Sequence, residues 1–246
     1  MSIDYSEVQR IVVTNAKGGC GKTTIATNLA GYFASCHRKT VLFDYDPQGS
    51  SMHWLKQRSD DLLPVHGIAA ARAGAAVTRS WQLRLPVGTE KIISDTPAGL
   101  SGIELVDMVQ RADAILIPVC PSPIDIHACA RFVRDLLIVG KARSYGVRIG
   151  VIANRVKPNT LTYVALKKFL DTMKIPFITS LRDTQNYSKA AERGISVHEL
   201  RAPKIEKDIE QWAPVYSWLR ECDDEGPSLA SHYHPVDVAA HLKPVS

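Results

Sequence analysis

The sequence predicts a doubly wound α/β fold, a mostly parallel β-sheet with helices on both faces. Three observations carry that prediction. Short apolar runs rich in β-branched residues recur at Arg10–Thr14, Thr40–Asp44, Lys91–Asp95, Ala114–Val119 and Ile149–Ala153. The middle of each run is continuously apolar rather than alternating, the pattern of strands covered on both faces. Between most of them lie segments of helical length, as βαβ units require. A chain of 246 residues with 45% apolar and 22% charged side chains is expected to fold as one domain with a sizeable core.

In chain order, Arg10–Thr14 runs into a glycine-rich loop and then a helical pattern. After Thr40–Asp44 the reading is less definite: Pro64-Val65-His66-Gly67-Ile68 suggests a short strand, and the Ala-rich run up to Leu85 is loop or helix. Ile126, Cys129, Ala130, Val133, Leu136 and Leu137 fall at helical spacing within Ile126–Val139, and Leu161–Leu170 repeats that spacing. Pro176–Ile178 is a weaker strand. A final helix, Ile205–Leu219, presents Ile205, Ile209, Trp212, Val215 and Leu219 to the sheet, and Pro214 is expected to bend or break it because proline lacks the backbone donor. Residues 1–222 therefore read as one domain. After Cys222 the composition turns acidic, then rich in His, Pro and Ser without periodicity, so 223–246 reads as a flexible tail.

No stretch approaches 18 consecutive apolar residues, and Met1-Ser2-Ile3-Asp4 offers neither a basic nor an apolar leader. A cytoplasmic protein away from the membrane is the expectation. Five scattered cysteines form no C-x-x-C pair, so they read as reduced packing residues. Charge is uneven, because residues 131–204 carry 15 Lys/Arg against 5 Asp/Glu while the whole chain is only +5. A basic block of that kind suits a polyanionic partner.

The loop itself, Thr14-Asn15-Ala16-Lys17-Gly18-Gly19-Cys20-Gly21-Lys22-Thr23-Thr24, sits between strand and helix, where backbone N–H groups and the positive helix end hold phosphate. Its glycines let the backbone approach the anion; Lys22 reaches the terminal phosphates, and the Thr23 hydroxyl suits Mg²⁺. The usual first glycine of a Walker A loop is Ala16 here, and a second lysine, Lys17, stands beside Gly18-Gly19. This arrangement resembles the deviant Walker A motif of the ParA/MinD family of P-loop ATPases, closest to its small partition and positioning members. Three further segments extend the resemblance: Val41–Ser50 with Asp44-Tyr45-Asp46-Pro47-Gln48-Gly49, Ile92–Leu100 with Asp95 at a Walker B position, and Ile152-Ala153-Asn154-Arg155.

The resemblance implies a P-loop NTPase fold and a slow, Mg²⁺-dependent, partner-stimulated hydrolysis of ATP. By that likeness Lys17, Gly18, Gly19, Cys20, Gly21, Lys22, Thr23, Thr24 and Asn154 bind nucleotide, with Asn154 at the adenine. Thr23, Asp95 and, more loosely, Asp44 surround Mg²⁺, partly through water, and Asp46 orients the attacking water. Lys17 reaches across an ATP-sandwich homodimer, so hydrolysis times dimerisation. The implied partners are non-specific DNA on the nucleoid and a ParB-like adaptor on a cargo, whether plasmid, chromosome or a protein organelle such as a carboxysome. Candidate DNA contacts are Arg155, Lys157, Lys167, Lys168, Arg182, Lys189, Arg193 and Arg201. The alternative is a MinD-like regulatory or small-substrate ATP-dependent enzyme that does not act on DNA. The sequence shows no basic amphipathic helix at its end, which leaves membrane binding unsupported.

Overall fold

The apolar runs fold as seven strands of one sheet, each pairing parallel with its neighbours. A computed structural model describes residues 8–71, 85–172 and 175–220. The strands are β1 (Gln9–Val13), β2 (Thr40–Asp44), β3 (Val65–Ala69), β4 (Lys91–Asp95), β5 (Ala114–Val119), β6 (Arg148–Val156) and β7 (Phe177–Arg182). Their spatial order is β3-β2-β4-β1-β5-β6-β7, with the connection reversing direction at β1. In open sheets of this kind ligands gather beyond the carboxyl ends of the strands near such a reversal.

Alternation along each strand divides the core. Ile11, Val13, Leu42, Ile93 and Leu116 face one side, under α1 (Lys22–Ser35), α2 (Ser50–Gln57), α6 (Asn186–Glu192) and α7 (Glu206–Arg220). Val12, Ile115, Ile117 and Val151 face the other, under α3 (Gly102–Gln110), α4 (Pro123–Ile138) and α5 (Leu161–Thr172). Pro123 opens α4 where its missing N–H costs nothing, and the Ser122 hydroxyl caps the turn by accepting from Asp125 N at 3.2 Å.

Several elements depart from the sequence reading. The final helix runs unbroken through Pro214, because Trp212, Val215, Tyr216, Trp218 and Leu219 are buried around it and outweigh one lost hydrogen bond. β7 extends to Arg182, beyond the apolar signal, since this edge strand uses Thr179 and Ser180. Helices α2, α3 and α6 are short, and α2 buries only Ser51 and Trp54, too little for a periodic signal. Val65–Ala69 is the short strand expected there, while residues 72–84 and the expected tail at 223–246 lie outside the described residues.

Register explains why the site forms. Val13 and Asp44 both stand opposite Asp95, so the β2-β4-β1 order brings two aspartate strand ends beside the loop that leaves β1.

Candidate active site

The loop after β1 takes the backbone shape its glycines permit. Gly19 and Gly21 have φ of 76° and 98°, outside the range an L side chain adopts comfortably. Gly21 has a second constraint: a Cβ there would lie 2.0 Å from Asn154 Nδ2. That amide donates to the Cys20 carbonyl at 2.8 Å and so fixes the loop to the end of β6. Asn15 ties the other side, its Nδ2 donating to the Pro118 carbonyl at 2.7 Å and its Oδ1 accepting from Lys17 N at 3.2 Å. The first turn of α1 carries no acidic residue, which leaves its positive end open to an anion.

The two lysines point differently. Lys22 is buried, at 7% exposure, and its Nζ donates to the Lys17 carbonyl at 3.2 Å across the loop. Lys17 is exposed. Between them Cys20 is buried, and burial pushes its thiol up, as suits a packing residue rather than a nucleophile.

Beside the loop lie the carboxylates. Asp95, fully buried, receives the Thr23 hydroxyl at 2.7 Å and the Ser51 hydroxyl at 2.6 Å on Oδ2. Its Oδ1 is buried without a hydrogen-bond partner among the described residues. Burial pushes this carboxyl up to about 6, and the Ser51 and Thr23 hydroxyls only partly offset it. Asp44, also buried, accepts backbone N–H groups on both oxygens, Asp46 N at 3.1 Å and Met52 N at 2.9 Å, and burial raises it too. Asp46 is half-buried, on the loop after β2, and holds Gln48 N at 3.0 Å.

An orphaned, buried carboxylate oxygen beside a threonine hydroxyl is the donor set a hard cation takes, so Thr23 and Asp95 fit Mg²⁺. Asp44 fits less directly, both its oxygens being committed to backbone. Ser51 was not anticipated; the only hint is its place two residues after Gly49, and the parallel register is what brings it to Asp95.

Next to the loop a polar cavity of about 340 Å³ is lined by Thr24, Asn154, Arg155, Arg182, Thr184 and Tyr187, among others. Asn154 is thus at this cavity, with its amide turned to the loop. Arg182 is a surprise here. Its partly exposed guanidinium forks onto the fully buried Asp208, Nη2 to Oδ2 at 2.9 Å and Nε to Oδ1, while Asn186 donates to the same carboxylate at 2.6 Å. The pair raises the Arg182 pKa, so the charge is fixed.

The remaining basic candidates lie on several elements. Lys167 and Lys168 ride on α5, under one face of the sheet, whereas Lys189, Arg193 and Arg201 belong to α6 and the turn after it, under the other. Arg155 and Lys157 lie at the carboxyl end of β6, and Lys157 faces Asp183 at 3.7 Å.

Residues 11–197 match the family described as the CobQ/CobB/MinD/ParA nucleotide binding domain. The chain belongs to that family. Among MinD/ParA relatives, the maintenance of carboxysome distribution protein A of Gloeobacter kilaueensis is 31% identical over 197 residues, covering 78% of this chain and 84% of its own. Its counterpart in Halothiobacillus neapolitanus is 28% identical over 196 residues, 78% and 88% of the two chains. A chromosome-partitioning ATPase Soj from Thermus thermophilus matches a shorter stretch, 31% over 140 residues, 46% of this chain and 55% of its own. In fold, the ATP complex of McdA from Cyanothece superimposes with a TM-score of 0.64 at 21% identity, covering 91% of this chain and 99% of that one. MinD from Aquifex aeolicus gives 0.66 at 20% identity over 90% and 99%. The seven-stranded parallel sheet is accordingly the P-loop NTPase fold, and the chain is a ParA/MinD-type ATPase. Among the described residues no helix is long and apolar enough to cross a membrane, and no cluster of three or more His, Cys, Asp or Glu forms a metal site.

Proposed function

We propose that this ATPase forms an ATP-held homodimer, binds duplex DNA without reading sequence, and positions a cargo through an adaptor protein that stimulates hydrolysis. The observation that carries the reading is the pair of lysines, one turned into the loop and one outward. Lys22 exchanges its contact with the Lys17 carbonyl for the terminal phosphates when nucleotide enters. Lys17, exposed at the loop surface, extends to the phosphates bound by a second subunit. Mg²⁺ held by Thr23 and Asp95 supplies charge neutralisation at the phosphates. Asp46, on the loop beside Asp44, orients the attacking water, and Asn154, at the polar cavity beside the loop, contacts the adenine.

Phosphoryl transfer needs positioning and charge more than covalent help, which suits a site built from a glycine loop, two lysines and strand-end carboxylates. Two relatives matched over 78% of the chain are named for carboxysome distribution, a third matched over 75% is named only as ATP-binding, and those named for chromosomes match shorter stretches, which favours a protein assembly as the cargo. Such a protein is cytoplasmic and associated with the nucleoid.

The test is binding to random-sequence duplex DNA with ATP, ADP and no nucleotide across a salt series. Binding selective for ATP that weakens steeply with salt supports the reading. Equal binding in all three states, or none, sinks the DNA part and leaves the MinD-like or small-substrate alternative.

A further inference from the structure

A helix of eight residues that buries two side chains is weakly anchored by apolar packing. α2 is such a helix, yet its first turn carries two contacts the site depends on: the Ser51 hydroxyl on Asp95 and the Met52 N–H on Asp44. Asp46 sits on the loop immediately before it, where Gly49 N closes onto the Asp46 carbonyl at 2.9 Å.

Trp54 packs in the core, with Met52 and Leu55 partly buried against it, and polar contacts fasten the far end of α2. Arg58, directly after the helix, forks onto Glu199, with Nη2 to Oε1 at 2.6 Å and Nη1 to Oε2 at 3.1 Å. The same guanidinium donates to the Gly194 and Leu63 carbonyls at 3.1 and 2.8 Å. The pair is nearly sealed from water, its side chains 4% and 9% exposed. Burying two charges costs desolvation, so a bidentate pair here serves direction more than stability. Close backbone contact adds to the fit: Gly194 has φ of 63°, and a Cβ there would lie 2.2 Å from Arg58 N.

The turn that carries Glu199 is fastened in turn to the helix after the phosphate loop. Val197 N donates to Asn28 Oδ1 at 2.8 Å, and Asn28 Nδ2 donates to the Thr24 carbonyl at 2.7 Å. α2 is therefore referenced to α1 through a segment about 140 residues away in sequence.

Resting on the ATPase reading above, we infer that Arg58 and Glu199 are positioning residues for hydrolysis: the pair sets α2, and with it Ser51 and the Asp44–Asp46 loop, against a phosphate loop that binds nucleotide without its help. Neither side chain enters the site, and the phosphate loop's own bonds run to Pro118, Asn154 and, from Thr23, Asp95, none of them directly to α2.

The test uses the full chain carrying Arg58→Ala, Arg58→Lys and Glu199→Gln, with three readouts: the Kd of a fluorescent ATP analogue, kcat for ATP, and hydrogen exchange over 46–57 and 22–30. In Arg58→Ala, kcat is expected to fall by about tenfold or more while Kd stays within about threefold. Exchange should rise over 46–57 and stay unchanged over 22–30, and Arg58→Lys should recover part of kcat. Should Arg58→Ala not fold, the two milder variants carry the same comparison. An unchanged kcat, or a Kd that weakens in step with kcat, would overturn the positioning role. A wild-type protein that binds ATP and never turns it over would instead overturn the ATPase reading on which the role rests.

Discussion

Gly21→Ala is a demanding test of how the phosphate loop is built, because two independent costs meet at one atom. The first is backbone strain: φ of 98° lies outside what alanine accepts, a cost of about 1–2 kcal/mol. The second is steric, since the new methyl would stand 2.0 Å from Asn154 Nδ2 and must expel that amide from the Cys20 carbonyl. Losing a buried hydrogen bond adds about 1–1.5 kcal/mol, for a total of about 2–3.5 kcal/mol. For a chain of this size each kcal/mol lowers Tm by about 2–4 °C, so the variant should melt roughly 5–15 °C lower. Asn154→Ala alone should cost about 1–3 kcal/mol, because the Cys20 carbonyl is left unpaired. In the double variant the amide is already gone, so its hydrogen bond is not counted twice. The two changes should therefore fall short of additivity by about 1 kcal/mol. Urea unfolding of the four proteins, with nucleotide binding measured alongside, gives the cycle. Additivity within about 0.5 kcal/mol would refute the claim that Gly21 is required because Asn154 closes on it.

Other consequences are open to measurement. Lys22→Ala should abolish ATP binding by titration, whereas Asp46→Ala should keep binding and lose hydrolysis; intact hydrolysis in Asp46→Ala would remove the water-orienting role. Lys17→Ala should bind ATP as a monomer, and an ATP-dependent dimer persisting in sedimentation would count against the outward lysine. Arg182→Ala should destabilise by about 3 kcal/mol in thermal or urea unfolding, because Asp208 is left as a buried charge with only Asn186 to hold it; a change in DNA binding without loss of stability would restore its surface role. His198, which touches Tyr216 Oη, is held by burial at about 3, well below an ordinary histidine. Between about pH 3 and 6.5 the unfolded chain takes up a proton that the native state refuses. This contribution to stability is therefore complete above about 6.5 and lost as pH falls, by about 1.4 kcal/mol per unit. His198→Phe should flatten that slope between about pH 5 and 6.5, and an unchanged slope would show that other groups set it.

Much of this architecture is legible in the chain because the physics that makes it is local. A strand buried on both faces must be apolar through its middle, so β1, β2, β4, β5 and the start of β6 announce themselves. A phosphate loop needs its glycines and lysines in consecutive positions, so Lys17, Gly19, Gly21 and Lys22 are visible without any fold. The elements that escape are those whose stability is borrowed. α2 has little apolar surface and stands because Arg58, Trp54 and Ser51 find partners elsewhere, and α7 passes Pro214 because the buried side chains around it outweigh one missing bond.

Charge shows the same division most plainly. Composition determined that residues 131–204 are rich in Lys and Arg, and the motifs determined the family and the nucleotide loop. Only the tertiary structure decided that Arg182 is spent on buried Asp208, that the lysines of α5 and α6 lie under opposite faces of the sheet, and that Ser51 meets Asp95. The reason is physical: a count of charges is fixed by sequence, but whether two charges add, cancel or never meet depends on distance and burial, which only the packed chain sets.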